Sequence, residues 1–153
     1  MPERPPKLLI GGNGRDLLGL AAREADIVGF TGLGKTLSDG QRHATTGFAA
    51  SEVDGRIALV REVAGDRFPD LELNALIQAV VPSEDPLTAA EGLAKNLPGL
   101  SPEQILETPF VLIGSAARMA DALLERRERW GISYYSIFGP AMDALAPVIA
   151  RLK

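Results

Sequence analysis

The sequence predicts an α/β fold on parallel strands, and three observations carry that expectation. Residues 7–30, KLLIGGNGRDLLGLAAREADIVGF, pass from a short apolar run through a glycine-rich turn and an amphipathic run into a second short apolar run. That order reads strand, tight turn, helix, strand, and strands joined by a crossover helix lie parallel. Strand-then-helix patterning recurs four times along the 153 residues, a length that suits one domain with a real core and not two.

Each element has its own warrant. Prolines 2, 5 and 6 keep the start extended until a strand at Lys7–Ile10. A helix at about Arg15–Ala25 places Leu17, Leu18, Ala21, Ala22 and Ala25 on one side, the period of a face packed on a sheet. The second strand is Ile27–Phe30. The Gly-, Thr- and Ser-rich segment Thr31–Ala49 is too long for an ordinary connection and reads as a functional loop, lid or mobile insertion. Ala50–Phe68 reads as a helix with Val53, Ile57, Val60, Val63 and Ala64 on its apolar side. Leu71–Val81 is the third strand, alternating at first and nearly all apolar toward its end. Ser83 or Asp85 caps the next helix, with Pro86 near its first position and an end near Asn96. Ser101-Pro102-Glu103-Gln104 starts a short helix ending near Thr108-Pro109.

Phe110–Ile113 is an apolar approach to Gly114-Ser115, and Ser115 caps the long helix Ala116–Trp130, which Gly131 terminates. The charge run Glu125–Arg129 reads as a solvated helix face with i,i+4 pairs. Ile132–Phe138 is the fourth clear strand, broken by Gly139-Pro140. Met142–Leu152 is a last helix that Pro147 kinks or delays.

Composition excludes several classes. Net charge is −4 and no basic patch is visible, which argues against a nucleic-acid partner. Cysteine is absent, so no disulfide framework or thiolate site exists, and no His/Asp/Glu cluster has metal-ligand spacing. The start, MPERPPK, does not resemble a signal peptide, and no apolar run approaches the roughly 20 residues of a membrane helix. A cytoplasmic protein without a membrane partner is the default.

The turn Gly11-Gly12-Asn13-Gly14 carries the first chemical suggestion, because glycines let backbone approach a ligand and a helix start favours an anion. A dinucleotide fingerprint fails here. Leu17 stands where the third glycine belongs, and Asp26 precedes the second strand instead of ending it. A tight turn with no ligand is the plainer alternative. His43, the only histidine, has the pKa for acid/base work but no nameable partner; Lys35 and Arg42 of the same segment are cations for a phosphate or acidic tail, or simply exposed charges. Tyr134 and Tyr135 point to opposite faces of the last strand and read as core packing. Asn74 and Gln78 share a face and need partners if buried. Ser115 with Gly114 suits either a phosphate or an ordinary cap.

Four blocks, Pro6–Gly14, Leu20–Gly29, Phe110–Ser115 and Gly131–Tyr135, resemble in order and spacing the luciferase-like monooxygenase superfamily, particularly its members that use the deazaflavin coenzyme F-420. The resemblance runs through essentially the whole chain. It implies four βα units of a TIM (β/α)8 barrel: a half-barrel equivalent to strands five to eight of a barrel that spans roughly 250 residues. It implies a cofactor, coenzyme F-420 or FMN, at the C-terminal mouth, with Gly11, Gly12, Asn13 and Gly14 at the ribityl or phosphate portion and Thr31 and Gly32 lining the same mouth. No catalytic residue is implied; His43 is the one weak candidate. The activity implied is hydride transfer between cofactor and a small organic substrate, or oxygen activation with FMN. Because the first four strands have no counterpart, open sheet edges imply a homodimer or a complementary half-barrel chain. The alternatives are a non-catalytic half-barrel that dimerises and at most binds a flavin, and a Rossmann-like NAD module.

Overall fold

The computed structural model describes residues 5–33 and 45–153, so Lys35, Arg42 and His43 lie outside the described residues. Strands β1 (Leu9–Gly11), β2 (Ile27–Phe30), β3 (Glu72–Ile77) and β6 (Ile132–Ile137) form one parallel sheet in the order β1-β2-β3-β6. Strands β4 (Ala79–Pro82) and β5 (Val111–Gly114) form a second, two-stranded parallel sheet. Helices α1 (Arg15–Glu24), α2 (Ala50–Ala64), α3 (Pro86–Ala94), α4 (Pro102–Glu107), α5 (Ala116–Trp130) and α6 (Met142–Ile149) complete the chain. This is an α/β half-barrel of parallel strands. Among the described residues no helix is long and apolar enough to cross a membrane.

Local chemistry explains the element ends. Asp85 caps α3 by accepting from the Thr88 N–H at 3.1 Å, so Asp85 and not Ser83 is the cap. Ser101 and Gln104 close a reciprocal capping box on α4. Ser115 accepts from the Arg118 N–H at 3.3 Å, and Gly131, at φ 75°, ends α5 in the left-handed conformation. Pro147 sits inside α6, whose start is preceded by a 3-10 turn at Gly139–Ala141.

Five expectations are corrected. The strand expected over Leu71–Val81 is two strands in two sheets. At Gln78 the backbone changes partner: its N–H donates to the Phe110 carbonyl at 2.7 Å, and the chain beyond pairs with β5 instead of β2 and β6. Phe110–Ile113 is accordingly not a mere approach; Val111–Gly114 is a fully buried strand. The helix expected to reach Phe68 ends at Ala64, because Gly65 adopts φ 54° and a 3-10 turn, Gly65–Asp70, follows. Leu17, expected in the core, is exposed and folds back over Gly12.

The fifth correction concerns the charge run at the end of α5. Arg126 is only 5% exposed, and its Nη2 donates to the Val111 carbonyl at 2.8 Å, tying α5 to β5 from inside. Arg129 does not pair along its own helix. It reaches Asp54 on α2, with Nη2–Oδ2 at 2.7 Å, while the Trp130 indole N–H donates to Asp54 Oδ1 at 2.6 Å. The Arg129 hydrogen bond is the main reason that the Asp54 carboxyl titrates below its ordinary range. A depressed carboxylate contributes stability above its unfolded pKa near 3.8 and loses it as pH falls through the folded value. Asp54→Asn is expected to destabilise by about 1 kcal/mol at neutral pH, since the pair is half-exposed. Urea titrations at pH 7 and near pH 2.5 check this, and the gap from wild type should close at the acid end.

The main core lies between the four-stranded sheet and its helices, around Phe30, Phe48, Val53, Val60, Phe110 and Ile132. A second cluster, Ile77, Leu112, Met119, Leu123, Leu145 and Val148, packs α5 and α6 on the strand ends. Both clusters use one face of the large sheet.

Candidate functional site

The other face of the sheet carries the candidate site, and strand register decides what it displays. Cross-strand partners point the same way, and one row reads Gly11, Gly29, Asn74, Tyr134. Two positions without side chains thus lie beside an amide and a phenol. A Cβ at Gly11 would come within 3.3 Å of the Gly29 carbonyl, and one at Gly29 within 3.5 Å of Asn74 Oδ1. Below this row, toward the strand starts, lie Leu9, Ile27 and Glu72, the last in a 3.1 Å ion pair with Lys7. Above it stand Leu76 beside Ser136, then Gln78 and the exposed Phe138, so polar and apolar groups mix toward the C-terminal ends of the strands, where ligands sit in parallel α/β folds.

Both polar residues of the third strand find partners. Asn74, 4% exposed, donates from Nδ2 to the Tyr134 carbonyl at 3.2 Å and to Ser136 Oγ at 3.1 Å. Gln78 donates from Nε2 to the Thr31 carbonyl at 3.1 Å, holding the segment that leaves β2. The two tyrosines separate as their alternation requires. Tyr135 is half-buried against both core clusters, whereas Tyr134, expected in the core, is 40% exposed on the open face. Phe138, at the end of the same strand, is 51% exposed.

Folding brings the glycine turn and the end of β2 together. Asn13 Nδ2 donates to Thr31 Oγ1 at 3.1 Å and also to the Leu33 carbonyl. Since a carbonyl only accepts, that second bond fixes the amide orientation and leaves Oδ1 as a buried acceptor without a partner among the described residues. The Gly12 N–H donates to the Gly29 carbonyl at 2.9 Å and extends the sheet ladder. Gly14 caps α1 without a side chain, and open space surrounds the position its Cβ would take. Gly32 is required twice over: its φ is 73°, and a Cβ there would lie 2.5 Å from the Phe110 ring. Asp26 accepts from the Leu8 N–H at 2.7 Å and serves the strand start, away from the mouth. Ser115 is occupied as a helix cap.

Tyr134 and Ser136 join this face without having been singled out for it. Their signal was register across strands far apart in sequence, which no local spacing reveals.

No protein-family model matches the chain, and no curated protein matches it. Solved structures do. A long-chain alkane monooxygenase aligns at TM-score 0.59 and 15% identity over 96% of this chain and 41% of its own. An F-420-dependent secondary alcohol dehydrogenase, solved with an F-420–acetone adduct, aligns at TM-score 0.58 and 17% identity over 89% and 44%. A riboflavin lyase with modified FMN and riboflavin aligns at TM-score 0.61 and 13% identity over 96% and 42%. The chain spans less than half the length of each of these three. Such likeness bears on fold, and the fold of this chain is the α/β half-barrel that its resemblance to the luciferase-like superfamily implied.

Proposed function

We propose that residues 1–153 act as a single domain equivalent to the C-terminal half of a luciferase-like barrel, and that its mouth binds a flavin or deazaflavin. The observation that carries this reading is the meeting of the glycine turn with Thr31 and Gln78 above the Gly11-Gly29-Asn74-Tyr134 row. The donor set suits such a ligand. Asn13 Oδ1, a buried acceptor without a partner among the described residues, would be matched by a ribityl hydroxyl donor. The first-turn amides of α1, uncapped by Gly14, are donors for a phosphate. The Gly12 amide, already bonded to Gly29, contributes shape and not a hydrogen bond. Coenzyme F-420 or FMN would supply hydride transfer to or from a small organic substrate. The chain's own part is to hold the tail at Asn13 and Gly14, to floor the site with glycines, and to present Asn74 and Tyr134 beside it.

The open face favours completion by a second half-barrel, either another copy or a complementary chain. Leu9, Tyr134 and Phe138 are exposed large side chains on or beside it, and β1 and β6 are edge strands. The same exposure supports a second reading, a non-catalytic half-barrel that assembles and at most binds a flavin. Fluorescence titration with FMN and with F-420, combined with mass in solution, separates them. Saturable binding is expected, weakened about tenfold by Asn13→Ala through loss of one hydrogen bond. Binding without turnover favours the assembly. A chain that binds neither cofactor overturns the cofactor reading.

A further inference from the structure

We infer that the cleft beside the glycine turn is a second anion subsite, which takes a phosphate- or carboxylate-bearing extension of the ligand held at the turn. This rests on the reading above and deepens it. The cleft, about 310 Å³, lies between the first turns of α1 and α2 and is lined by Asn13, Arg15, Ser51, Glu52, Gly55 and Arg56 among others. Asn13 therefore belongs to both the mouth and the cleft, making them continuous. The lining sets two guanidiniums against one carboxylate in a chain whose net charge is −4.

The placement of those cations opposes local preference. Arg15 is the first residue of α1, where the helix dipole favours an acid. Arg56 is half-buried, and burial pulls its pKa down while Glu52 only partly counters this. Neither Gly14 nor Ala49 caps its helix with a side chain, so two positive helix ends face the same region as the two arginines. Asp16 and Glu52 already stand in the two first turns, and an anion in the cleft would pair with the two guanidiniums beyond what these acids offset. Local rules broken together in one place mark functional sites more often than accidents.

The backbone is shaped to hold Arg56 there. Its Nη1 donates to the Gly47 carbonyl at 2.7 Å. A Cβ at Gly47 would lie 2.4 Å from the Gly32 carbonyl and 2.5 Å from Arg56 Nη2, so only glycine lets the guanidinium sit against the mouth segment. Ser51 adds a hydroxyl, and Gly55 leaves the cleft open above α2. FMN ends at one phosphate, whereas a deazaflavin of the F-420 type continues past its phosphate into carboxylates. The cleft thus predicts a preference for the longer, more anionic cofactor.

The test uses the full chain with three probes: F-420, FMN and inorganic phosphate. Arg15→Gln/Arg56→Gln should weaken F-420 binding tenfold or more and FMN binding less than about twofold, and should flatten the salt dependence of F-420 binding. Arg15→Gln alone, at an exposed site, should reproduce part of the loss with an unchanged melting temperature, which guards against misfolding of the double variant. Equal weakening of both cofactors, or of neither, overturns the inference. Failure of the cofactor reading shows separately, as wild-type protein that binds neither cofactor. Inorganic phosphate then probes the cleft itself through amide NMR shifts at Arg15, Ser51 and Gly55. Saturable shifts that vanish in the double variant uphold an anion site, and no shifts overturn it. Phosphate binding without any preference for F-420 over FMN overturns the assignment to a ligand tail.

Discussion

Phe110→Ala is expected to lower stability by about 3–5 kcal/mol, the range for deleting a fully buried ring. Phe110 has no exposed surface and meets Phe48 edge-on, with centroids 5.3 Å apart and planes at 61°. The ring also fills the space into which a Gly32 side chain would project, and the Phe110 carbonyl accepts the Gln78 N–H where the chain leaves one sheet for the other. One residue therefore supports the core, the end of β2 and the sheet switch together. Urea denaturation measures the loss, and a drop below about 1 kcal/mol would contradict this packing. The structure also fixes a coupling. Gly32→Ala alone should cost about 1–3 kcal/mol from its positive φ, with a further penalty from contact with the ring. In the Phe110→Ala background that further penalty should disappear, so the two losses should sum to more than the double variant shows.

Arg126 gives the second large effect. A buried guanidinium with one bond to a carbonyl, and with Nη1 unpartnered among the described residues, is a costly group to keep charged. Arg126→Ala should destabilise by about 2–4 kcal/mol, because it leaves a cavity and strips the Val111 carbonyl of its donor. Arg126→Met, which keeps most of the volume and removes the charge, should recover much of that loss. Burial holds the Arg126 pKa down at about 10 and pushes the Tyr135 hydroxyl up to about 12. These act in opposite directions at high pH. Between pH 10 and 12 the unfolded chain holds more protons at the arginine position, so stability rises with pH. It holds fewer at the tyrosine position, so stability falls. In wild type the slopes oppose each other. In Arg126→Met the tyrosine slope stands alone, so the variant should lose stability relative to wild type as pH rises from 10 to 12. Thermal melts across that range read the difference.

The elements legible in the chain are those decided by near neighbours. Ile27–Phe30 is a strand over the expected residues. The Ser101–Gln104 box, the Ser115 cap and the Gly131 stop all lie within a few bonds of what they satisfy. The glycine turn of the candidate site is legible for the same reason: Gly11 to Gly14 form one contiguous stretch. The inward turn of Arg126 is not legible, because five charged residues in a row carry no mark of which one turns inward. That depended on the Val111 carbonyl, fifteen residues away, needing a donor. The change at Gln78 did leave a trace, since the alternating half of Leu71–Val81 became β3 and the apolar half became β4. Burial does not follow the usual rule that an apolar run is covered on both faces, since β3 is mostly buried and β4 only partly so.

Turns, caps and periodicity thus settled that strands and helices alternate, where most of them begin and end, and that a glycine turn stands at the head of α1. Long-range pairing decided the rest. Register placed Gly11, Gly29, Asn74 and Tyr134 in one row, although they span more than a hundred residues of chain. Packing of α1 against α2 brought Arg15 and Arg56 to one cleft, and the Phe110 ring required glycine at position 32. The physical reason is the range of the forces. A hydrogen bond to a neighbour three or four residues away is encoded in spacing, but a contact across strands exists only once the sheet has formed.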